Sequence, residues 1–447
     1  KLAEDDLFHL LANSLNYHYL TTLNAYDRID TEKALLEFKY VINTQIELLS
    51  SKTLSLEAQK IVVQLDNMLL SLKNQSWEEV DRVLLYKQWI APIIKQYSNL
   101  RISSTKNEVH FDDSEALLFS SNFLNANTHT YDIDTTNFED LEELGRLLFY
   151  DPMLSGNNKR SCASCHKPSK AFSDGRQTSI AFDYTSKLKR NAPSLINSIY
   201  KGRFLHDLSK DNLFDQITAV INHSMEFNTS WKEIEQKIES SEEYVQRFET
   251  CFSSTSIDSN KVADALTAYL ASLTSFNSPF DQYMSGKSKK EDAQLEAGYN
   301  LFMGEASCGN CHVPPLFGGI NPTNFKEPLY FKVNSPEIKK EEKGLATNEH
   351  YDERYNHFFA VPSLRNLNYT TPYFHNGSLL SLEACIDAHT IEGSNFTKEL
   401  TENQKSTILY FLETLNDTTL TNTKERMNLP LTDGTLAPKK RRSAGIY

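Results

Sequence analysis

Apolar residues recur at helical spacing through the first hundred residues of the chain. Two such runs are Leu35, Leu36, Phe38, Val41, Ile42, Ile46 and Leu49, and then Ile61, Val62, Leu65, Met68, Leu69 and Leu72. Residues three or four positions apart lie on one face of a helix, so each run predicts an amphipathic helix. Several such helices bury their apolar faces most simply against one another, and residues 1–100 are therefore predicted to form a four-helix bundle.

The last helix of this bundle has a predicted start and a predicted disturbance. Ser76 followed three positions later by Glu79 is typical of a capping box that opens a helix. Pro92 is expected to disturb the helix, because proline lacks the backbone donor that a helix interior requires. Residues 101–138 then turn polar, rich in Ser, Asn, Thr and Asp, and predict a linker.

An internal repeat follows the linker. Its strings are Gly145-Arg146-Leu147-Leu148-Phe149 before Ser161-Cys162, and Gly298-Tyr299-Asn300-Leu301-Phe302 before Ser307-Cys308. Two copies of one pattern, about 146 positions apart on the cysteines, predict two related helical domains. We place them at residues 139–285 and 286–430, followed by a basic tail, 431–447. Few segments alternate with the period of a strand, so the chain is predicted to be mainly α.

Length and charge narrow the class of protein. A chain of 447 residues suggests about three structural units. The net charge of -13 disfavours nucleic acid as a partner, because phosphates attract lysine and arginine clusters. No stretch approaches the ~20 consecutive apolar residues of a membrane helix, so no membrane span is predicted. The chain begins at Lys1, and we expect an export signal to have been removed before this numbering starts.

Four of the six cysteines fall in two identical patterns. These are Cys162-Ala163-Ser164-Cys165-His166 and Cys308-Gly309-Asn310-Cys311-His312. Two thiols so spaced can each add to a vinyl group of one porphyrin, while the adjacent histidine reaches the iron. A zinc or thioredoxin-type site does not require that histidine, which occurs here twice. The sequence therefore predicts two covalently attached c-type haems, and hence a periplasmic location, since thioether attachment is made outside the cytosol. Cys251 and Cys385 are left as two buried thiols or as a disulfide.

Further strings resemble those of the bacterial di-haem cytochrome c peroxidase and MauG family. They are Leu144-Gly145-Arg146-Leu147-Leu148-Phe149-Tyr150-Asp151-Pro152-Met153-Leu154-Ser155, Arg190-Asn191-Ala192-Pro193-Ser194, Val361-Pro362-Ser363-Leu364-Arg365-Asn366 and Pro372-Tyr373-Phe374-His375-Asn376-Gly377. The resemblance covers residues 140–415. It implies that the first haem is peroxidatic, that the second is an electron relay, and that His166 and His312 are the proximal ligands.

The resemblance also implies residues for the first pocket. Gln216 and Glu226 match the pocket glutamine and the acid/base glutamate, and one carboxylate can take a proton from peroxide and return it as the O–O bond breaks. His206 stands where many members have a tryptophan between the haems, and it is left open as a relay, a pocket donor, an iron ligand or a structural residue. No histidine lies between His166 and His206, the interval that supplies a displaceable ligand in members needing reductive activation. The first iron is thus expected to be open, unless His223 closes it.

For the second haem, the resemblance places the distal ligand at His389. Ligation by His312 and His389 lacks a methionine thioether, so this haem should have a low potential and bind peroxide slowly. His375 is expected to bond a propionate or a backbone group. Asn191, with the carbonyls of Thr370 and Pro372, matches the oxygen ligands of a calcium ion held between the haems in the family.

Three functions remain open at this point. The first is a peroxidase that takes electrons from a small cytochrome or copper protein and reduces hydrogen peroxide to water. The second is a MauG-like oxidation of residues on a partner protein, which an open first haem favours. The third is a non-catalytic electron-transfer cytochrome in which His206 or His223 closes the first iron. The basic tail Lys439-Lys440-Arg441-Arg442 is interpreted as solvated rather than as a nucleic-acid signal.

Overall fold

The computed structural model describes residues 4–23, 31–51, 55–100, 117–120, 123, 124, 126, 137–321, 324–333, 341–389 and 399–417. The basic tail, most of the predicted linker and the end of the second repeat unit lie outside these residues. The α-helices are α1 (Glu4–Thr21), α2 (Thr31–Ser50), α3 (Leu56–Ser71), α4 (Arg82–Leu85), α5 (Ala91–Leu100), α6 (Phe138–Tyr150), α7 (Leu213–Asn222), α8 (Trp231–Glu239), α9 (Glu242–Phe252), α10 (Ser259–Ser272), α11 (Pro279–Met284), α12 (Ala293–Met303), α13 (Leu382–His389) and α14 (Glu402–Thr414). The prediction of a mainly helical chain is confirmed. None of the described helices is long and apolar enough to cross a membrane.

The N-terminal helices form the predicted bundle. Helix α1 lies against α2 and α5, while α3 lies against the same two helices. The runs that predicted helices give α2 and α3, whose inward residues Phe38, Ile42, Ile61 and Leu65 are fully buried. Each helix therefore buries one apolar stripe against its neighbours, as an amphipathic pattern requires.

The start of the last bundle helix was predicted wrongly. Glu79 does accept a hydrogen bond from the backbone of Ser76 at 2.9 Å, but the residues between them form only a turn. Asp81 is the N-cap instead, accepting from the Leu84 amide at 2.9 Å. Pro92 does not end the helix, because a π-helical turn, Tyr86–Ile90, joins α4 to α5 directly before it. The wider turn relieves the clash between a proline ring and the carbonyl of the preceding turn.

The two repeat units are each built on a close helix crossing. Helix α6 crosses α10 at Gly145, where an added Cβ would lie 1.8 Å from the carbonyl oxygen of Ala265. Helix α12 crosses α14 at Gly298, where it would lie 2.6 Å from the Cβ of Phe411. The two glycines occupy the same place in the repeated strings, so they are repeated because the two crossings are alike.

The repeat continues well beyond the haem motifs, in a second register of 169 positions. Backbone in the left-handed region recurs in pairs at this spacing: Asn197 and Asn366 (φ 59° and 63°), Leu205 and Phe374 (67° and 69°), Leu208 and Gly377 (53° and 60°). An antiparallel bridge between Phe204 and Lys210 recurs between Tyr373 and Leu379. Helices α7 and α13 begin at Leu213 and Leu382, which are again equivalent. The register pairs every residue of α13 with one of α7.

The second unit carries an insertion between its haem motif and this register. Pro193 follows His166 by 27 positions, whereas Pro362 follows His312 by 50. The strands of the described residues lie in this insertion: β1 (Ile320–Asn321), β2 (Asn324–Pro328), β3 (Tyr330–Lys332) and β4 (Phe358–Ala360). Strand β1 pairs with β2 and β3 with β4, both antiparallel.

Two hydrophobic cores divide the molecule. One lies within the first repeat unit, around α6 to α10. The other is shared by the N-terminal bundle and the second repeat unit, and it also includes α11. Polar contacts cross the shared core, since the hydroxyls of Tyr19 and Tyr299 lie 3.1 Å apart and the Arg82 amide donates to Asn300 Oδ1 at 2.8 Å. The bundle is therefore packed on the second unit.

Candidate functional site

Each Cys-x-x-Cys-His string forms one tight turn. The turns are Cys162–Ser164 and Cys308–Asn310, and in both the histidine amide donates to the carbonyl of the first cysteine, at 2.9 and 3.0 Å. Burial raises the pKa of Cys162, Cys308 and Cys311 to about 12, so these thiols are neutral. Within the described residues, no group of three or more His, Cys, Asp or Glu side chains is arranged to hold a metal ion.

The histidine of each motif is oriented by backbone carbonyls. His166 Nδ1 lies 2.9 Å from the Phe172 carbonyl, and His312 Nδ1 lies 3.1 Å from that of Pro362. A carbonyl oxygen only accepts, so Nδ1 donates and the lone pair is left on Nε2, the arrangement of an iron-ligating histidine. Burial lowers the pKa of His166, and it lowers that of His312 to about 3, which keeps both imidazoles neutral.

His389 faces His312 at the distance that a shared metal atom requires. The two ring centres are 6.4 Å apart. A metal about 2 Å from a nitrogen of each ring separates the ring centres by roughly 6 Å. His389 lies at the end of α13, and its Nδ1 donates to the Cys385 carbonyl at 2.7 Å, so the ring proton is on Nδ1 as it is in His312. His312 and His389 would therefore hold one haem iron between them.

The first unit has a valine where the second has His389. In the 169-position register, Val220 of α7 corresponds to His389 and Gln216 to Cys385. Val220 cannot ligate a metal, so α7 offers no ligand at the position that His389 occupies on α13. The equivalence of Val220 and His389 is a property of the fold that the short sequence motifs do not indicate.

Helix α7 also has the surface of a pocket wall. Its apolar residues Leu213, Ile217 and Val220 are only half-buried, although they line one face of an apolar helix. The Oε1 atom of Gln216 is buried and has no hydrogen-bond partner among the described residues. Buried polar atoms are normally hydrogen-bonded. Both observations therefore fit a pocket in which a flat apolar group lies against α7 and a polar ligand lies beside Gln216.

Glu226 lies beside the first haem motif. Burial raises the pKa of its carboxyl above the ordinary value, while His223 and Arg160 oppose that effect. Burial likewise raises the pKa of the Cys165 thiol, which the charge of Arg160 lowers and that of Glu226 raises. His223 Nδ1 lies 3.5 Å from Glu226 Oε1, so the ring of His223 contacts the carboxyl. Glu226 is thus a carboxyl group with a raised pKa close to the first Cys-x-x-Cys-His motif.

His206 and His375 form a pair between the two units. They are equivalent in the 169-position register, and their ring centres lie 6.4 Å apart. His206 Nε2 donates to the Asn191 carbonyl at 3.1 Å, whereas the buried His375 Nε2 has no partner within the described residues. Burial lowers the pKa of each to about 4. Of the roles left open for His206, iron ligation by Nε2 conflicts with its bond to Asn191.

The calcium candidates lie on two segments that touch. The Asn191 amide donates to the His375 carbonyl at 2.7 Å, and its Nδ2 donates to the Arg176 carbonyl at 2.7 Å. Thr370 and Pro372 precede His375 in the same loop. The calcium site stays a prediction. Cys251 and Cys385 are free thiols, so the disulfide alternative is wrong.

The chain is similar to known di-haem peroxidases and to MauG proteins. The family model of the di-haem cytochrome c peroxidase matches residues 139–289. The chain is 32% identical to the cytochrome-c peroxidase IdrP2 of Denitromonas iodatirespirans, over 62% of this chain and 82% of that protein. It is 30% identical to the methylamine utilization protein MauG of Methylorubrum extorquens, over 61% of this chain and 77% of that protein. A crystal structure of a MauG-like protein associated with microbial copper homeostasis matches with a TM-score of 0.57 and 28% identity, covering 64% of this chain and 91% of that one.

Proposed function

The chain belongs to the di-haem cytochrome c peroxidase family, and from that premise we propose that it reduces hydrogen peroxide in the pocket between His166 and α7. The haems are attached covalently, one to Cys162 and Cys165 and the other to Cys308 and Cys311. A haem iron with an open face supplies a site for breaking the O–O bond, and one ligated on both faces supplies one-electron transfer. His312 and His389 hold the second haem.

The observation that carries the proposal is that Val220 takes the place of His389 in the 169-position register. His312 and His389 would both hold the iron of the second haem, whereas His166 would hold the iron of the first haem with no second histidine from α7. The pair of sites is therefore unequal by construction, as a peroxidase with one reactive and one relay haem requires. His206 and His223 do not remove this inequality, because His206 Nε2 bonds Asn191 and His223 contacts Glu226.

Glu226 moves the proton that the reaction needs. As a carboxylate it accepts a proton from one oxygen of the bound peroxide and returns it to the oxygen that leaves as water. Its raised pKa favours the first of these steps, because it makes the carboxylate a stronger base toward the peroxide proton. Gln216 accepts a hydrogen bond from the peroxide O–H at its buried Oε1 and holds the peroxide against the pocket wall. With two electrons and two further protons, one hydrogen peroxide gives two molecules of water.

The two electrons arrive from outside, one at a time. We propose that a small cytochrome or copper protein supplies them to the second unit, and that they cross to the first unit past His206 and His375. A calcium ion at Asn191, Thr370 and Pro372 would fix the two segments on which these histidines rest. The protein works in the periplasm, where thioether attachment of haem takes place.

Replacing Val220 by histidine tests the proposal directly. In the reduced wild-type protein we expect carbon monoxide to bind one haem of the two. Val220→His should abolish that binding and stop peroxide reduction, while Val220→Leu, the matched control, should keep both. Absence of carbon monoxide binding in the wild type, or normal peroxide turnover by Val220→His, would refute the assignment.

A second candidate function is oxidation of residues on a partner protein. The observation that favours it is Val220 at the position equivalent to His389, together with 30% identity to a MauG. Mass spectrometry of proteins co-expressed with this chain distinguishes the two functions. Peroxide-dependent covalent change in one partner supports the second function, whereas rapid turnover with a reduced cytochrome and no such change supports the first.

A further inference from the structure

Three tyrosines cluster on the insertion that distinguishes the second unit from the first. Tyr330 lies on β3, and Tyr351 and Tyr355 follow in the loop before β4. Their ring centres are 5.6 Å apart for Tyr330 and Tyr351, 6.0 Å for Tyr330 and Tyr355, and 4.9 Å for Tyr351 and Tyr355. All three side chains are half-buried. An outside molecule can therefore reach the cluster, which the proposed peroxide reaction does not use.

The cluster is joined to the histidine pair between the units through one strand. Tyr330 pairs with Ala360 across the β3–β4 ladder, and the Ala360 amide donates to the carbonyl of His206 at 2.9 Å. The neighbouring Phe359 stacks on His375 with ring centres 3.8 Å apart and planes 13° apart. Arg203, three positions before His206, also contacts the cluster, because its Nη1 lies 3.5 Å from the Tyr351 hydroxyl. One strand thus separates Tyr330 from His206 and His375.

The chemistry of these side chains suits one-electron transfer. A phenol loses an electron readily only when its proton leaves too, so a relay tyrosine needs a neighbouring hydrogen-bond partner. Burial raises the pKa of Tyr330, and the neighbouring phenols of Tyr351 and Tyr355 raise it further. The hydroxyls of these two residues are the candidate acceptors for the proton of Tyr330.

We propose that the Tyr330, Tyr351 and Tyr355 cluster is a surface site at which phenols are oxidised at the expense of peroxide. The proposal rests on the proposed peroxidase function, which supplies the oxidant. Tyr330 gives one electron to the oxidised haem units past His206 and His375, and its phenolic proton passes along the cluster. A phenol at the surface then gives one electron and one proton back. One hydrogen peroxide and two phenols yield two water molecules and two phenoxyl radicals. The phenol is either a free molecule or a tyrosine side chain of another protein.

The test uses a variant that removes the hydroxyls and keeps the rings. The triple variant Tyr330→Phe, Tyr351→Phe, Tyr355→Phe is compared with Tyr40→Phe, a matched change at a 63% exposed tyrosine on α2. Both are mixed with hydrogen peroxide, with and without 4-methylphenol or a short tyrosine peptide as probe. The optical change on adding peroxide measures the first reaction, and phenoxyl products measure the second. Electron paramagnetic resonance with ring-deuterated tyrosine reports a tyrosyl radical.

We expect the triple variant to react with peroxide as the wild type does, to lose the tyrosyl signal, and to oxidise the phenol at least about tenfold more slowly. Tyr40→Phe should match the wild type in all three readouts. The single variant Tyr330→Phe repeats the measurement with a smaller change. Equal phenol oxidation by the wild type and the triple variant overturns the proposal. A wild type that shows no reaction with peroxide before phenol is added overturns the peroxidase function as well.

Discussion

A buried ion pair ties α11 to the segment that orients His312. Arg365 donates from Nη1 and Nη2 to the two oxygens of Asp281, at 2.8 and 2.7 Å, and from Nε to the Pro315 carbonyl at 2.7 Å. The two side chains are 1% and 3% exposed. Pro315 follows His312 closely, and Arg365 follows Pro362, the residue whose carbonyl holds His312 Nδ1. The pair therefore fixes the loops on both sides of this histidine.

Replacing Asp281 by asparagine should be among the most destabilising single changes in the chain. It keeps the shape of the side chain but leaves a guanidinium buried without its counter-charge, which costs about 3–5 kcal/mol. The amide and hydroxyl of Ser278 also donate to Asp281 Oδ2, at 2.9 and 2.8 Å, and asparagine can keep only part of that cap. We expect the free energy of unfolding to fall by this amount. Urea unfolding of the haem-loaded protein, followed by circular dichroism and by haem absorbance, measures the loss.

Two control variants test whether the loss comes from the buried, unpaired charge of Arg365. Asp352→Asn breaks the ion pair between Asp352 and Arg354, whose side chains are 54% and 84% exposed, so it should leave the free energy of unfolding nearly unchanged. Adding Arg365→Met to Asp281→Asn removes both charges and should restore much of the lost stability. A loss below about 1 kcal/mol for Asp281→Asn, or a double variant less stable than either single one, would refute the argument.

Three further predictions concern the reaction and the fold. Glu226→Gln should slow the peroxide reaction by about 10²–10⁴ with both haems still attached, as stopped-flow absorbance would show; unchanged kinetics would contradict its role. Because burial raises the pKa of Glu226, the rate of the peroxide reaction in the wild type should fall as the pH drops through a midpoint above the ordinary glutamate value. Arg160→Gln removes a charge that lowers this pKa, so it should move the midpoint upward. An unchanged midpoint would contradict the role of Arg160. Gly145→Ala should lower the unfolding free energy by about 1–3 kcal/mol or more, because its Cβ would meet the Ala265 carbonyl at 1.8 Å; equal stability to wild type would mean the crossing can open.

The features that could be predicted from the sequence are short-range patterns. The haem motifs, the helical runs of α2 and α3 and the glycine strings are short patterns, and the structure has each as an element of the expected kind. The capping contact of Glu79 also forms, yet it does not start the helix, because Asp81 offers a cap closer to the apolar run. Short-range signals predict which bonds form more reliably than where an element begins.

What the sequence analysis missed depends on residues far apart in the chain. The equivalence of Val220 with His389 becomes visible only when the two units are aligned from Asn197 and Asn366 onward, since the insertion changes the register from 146 to 169 positions. The same alignment pairs His206 with His375, which sequence reasoning considered separately. The tyrosine cluster lies on the insertion itself and has no counterpart in the first unit to suggest it.

The core shared by the bundle and the second unit has a consequence for biosynthesis. Tyr19 meets Tyr299 across 280 positions, with the whole first unit between them. As the chain emerges from N to C, the bundle is complete long before the surface that covers it, and the first unit can close its own core in the interval. The bundle therefore exposes an apolar face until α12 and α14 have been synthesised and have packed on it. A delay in chain elongation after residue 285 prolongs the period in which the protein is prone to aggregate.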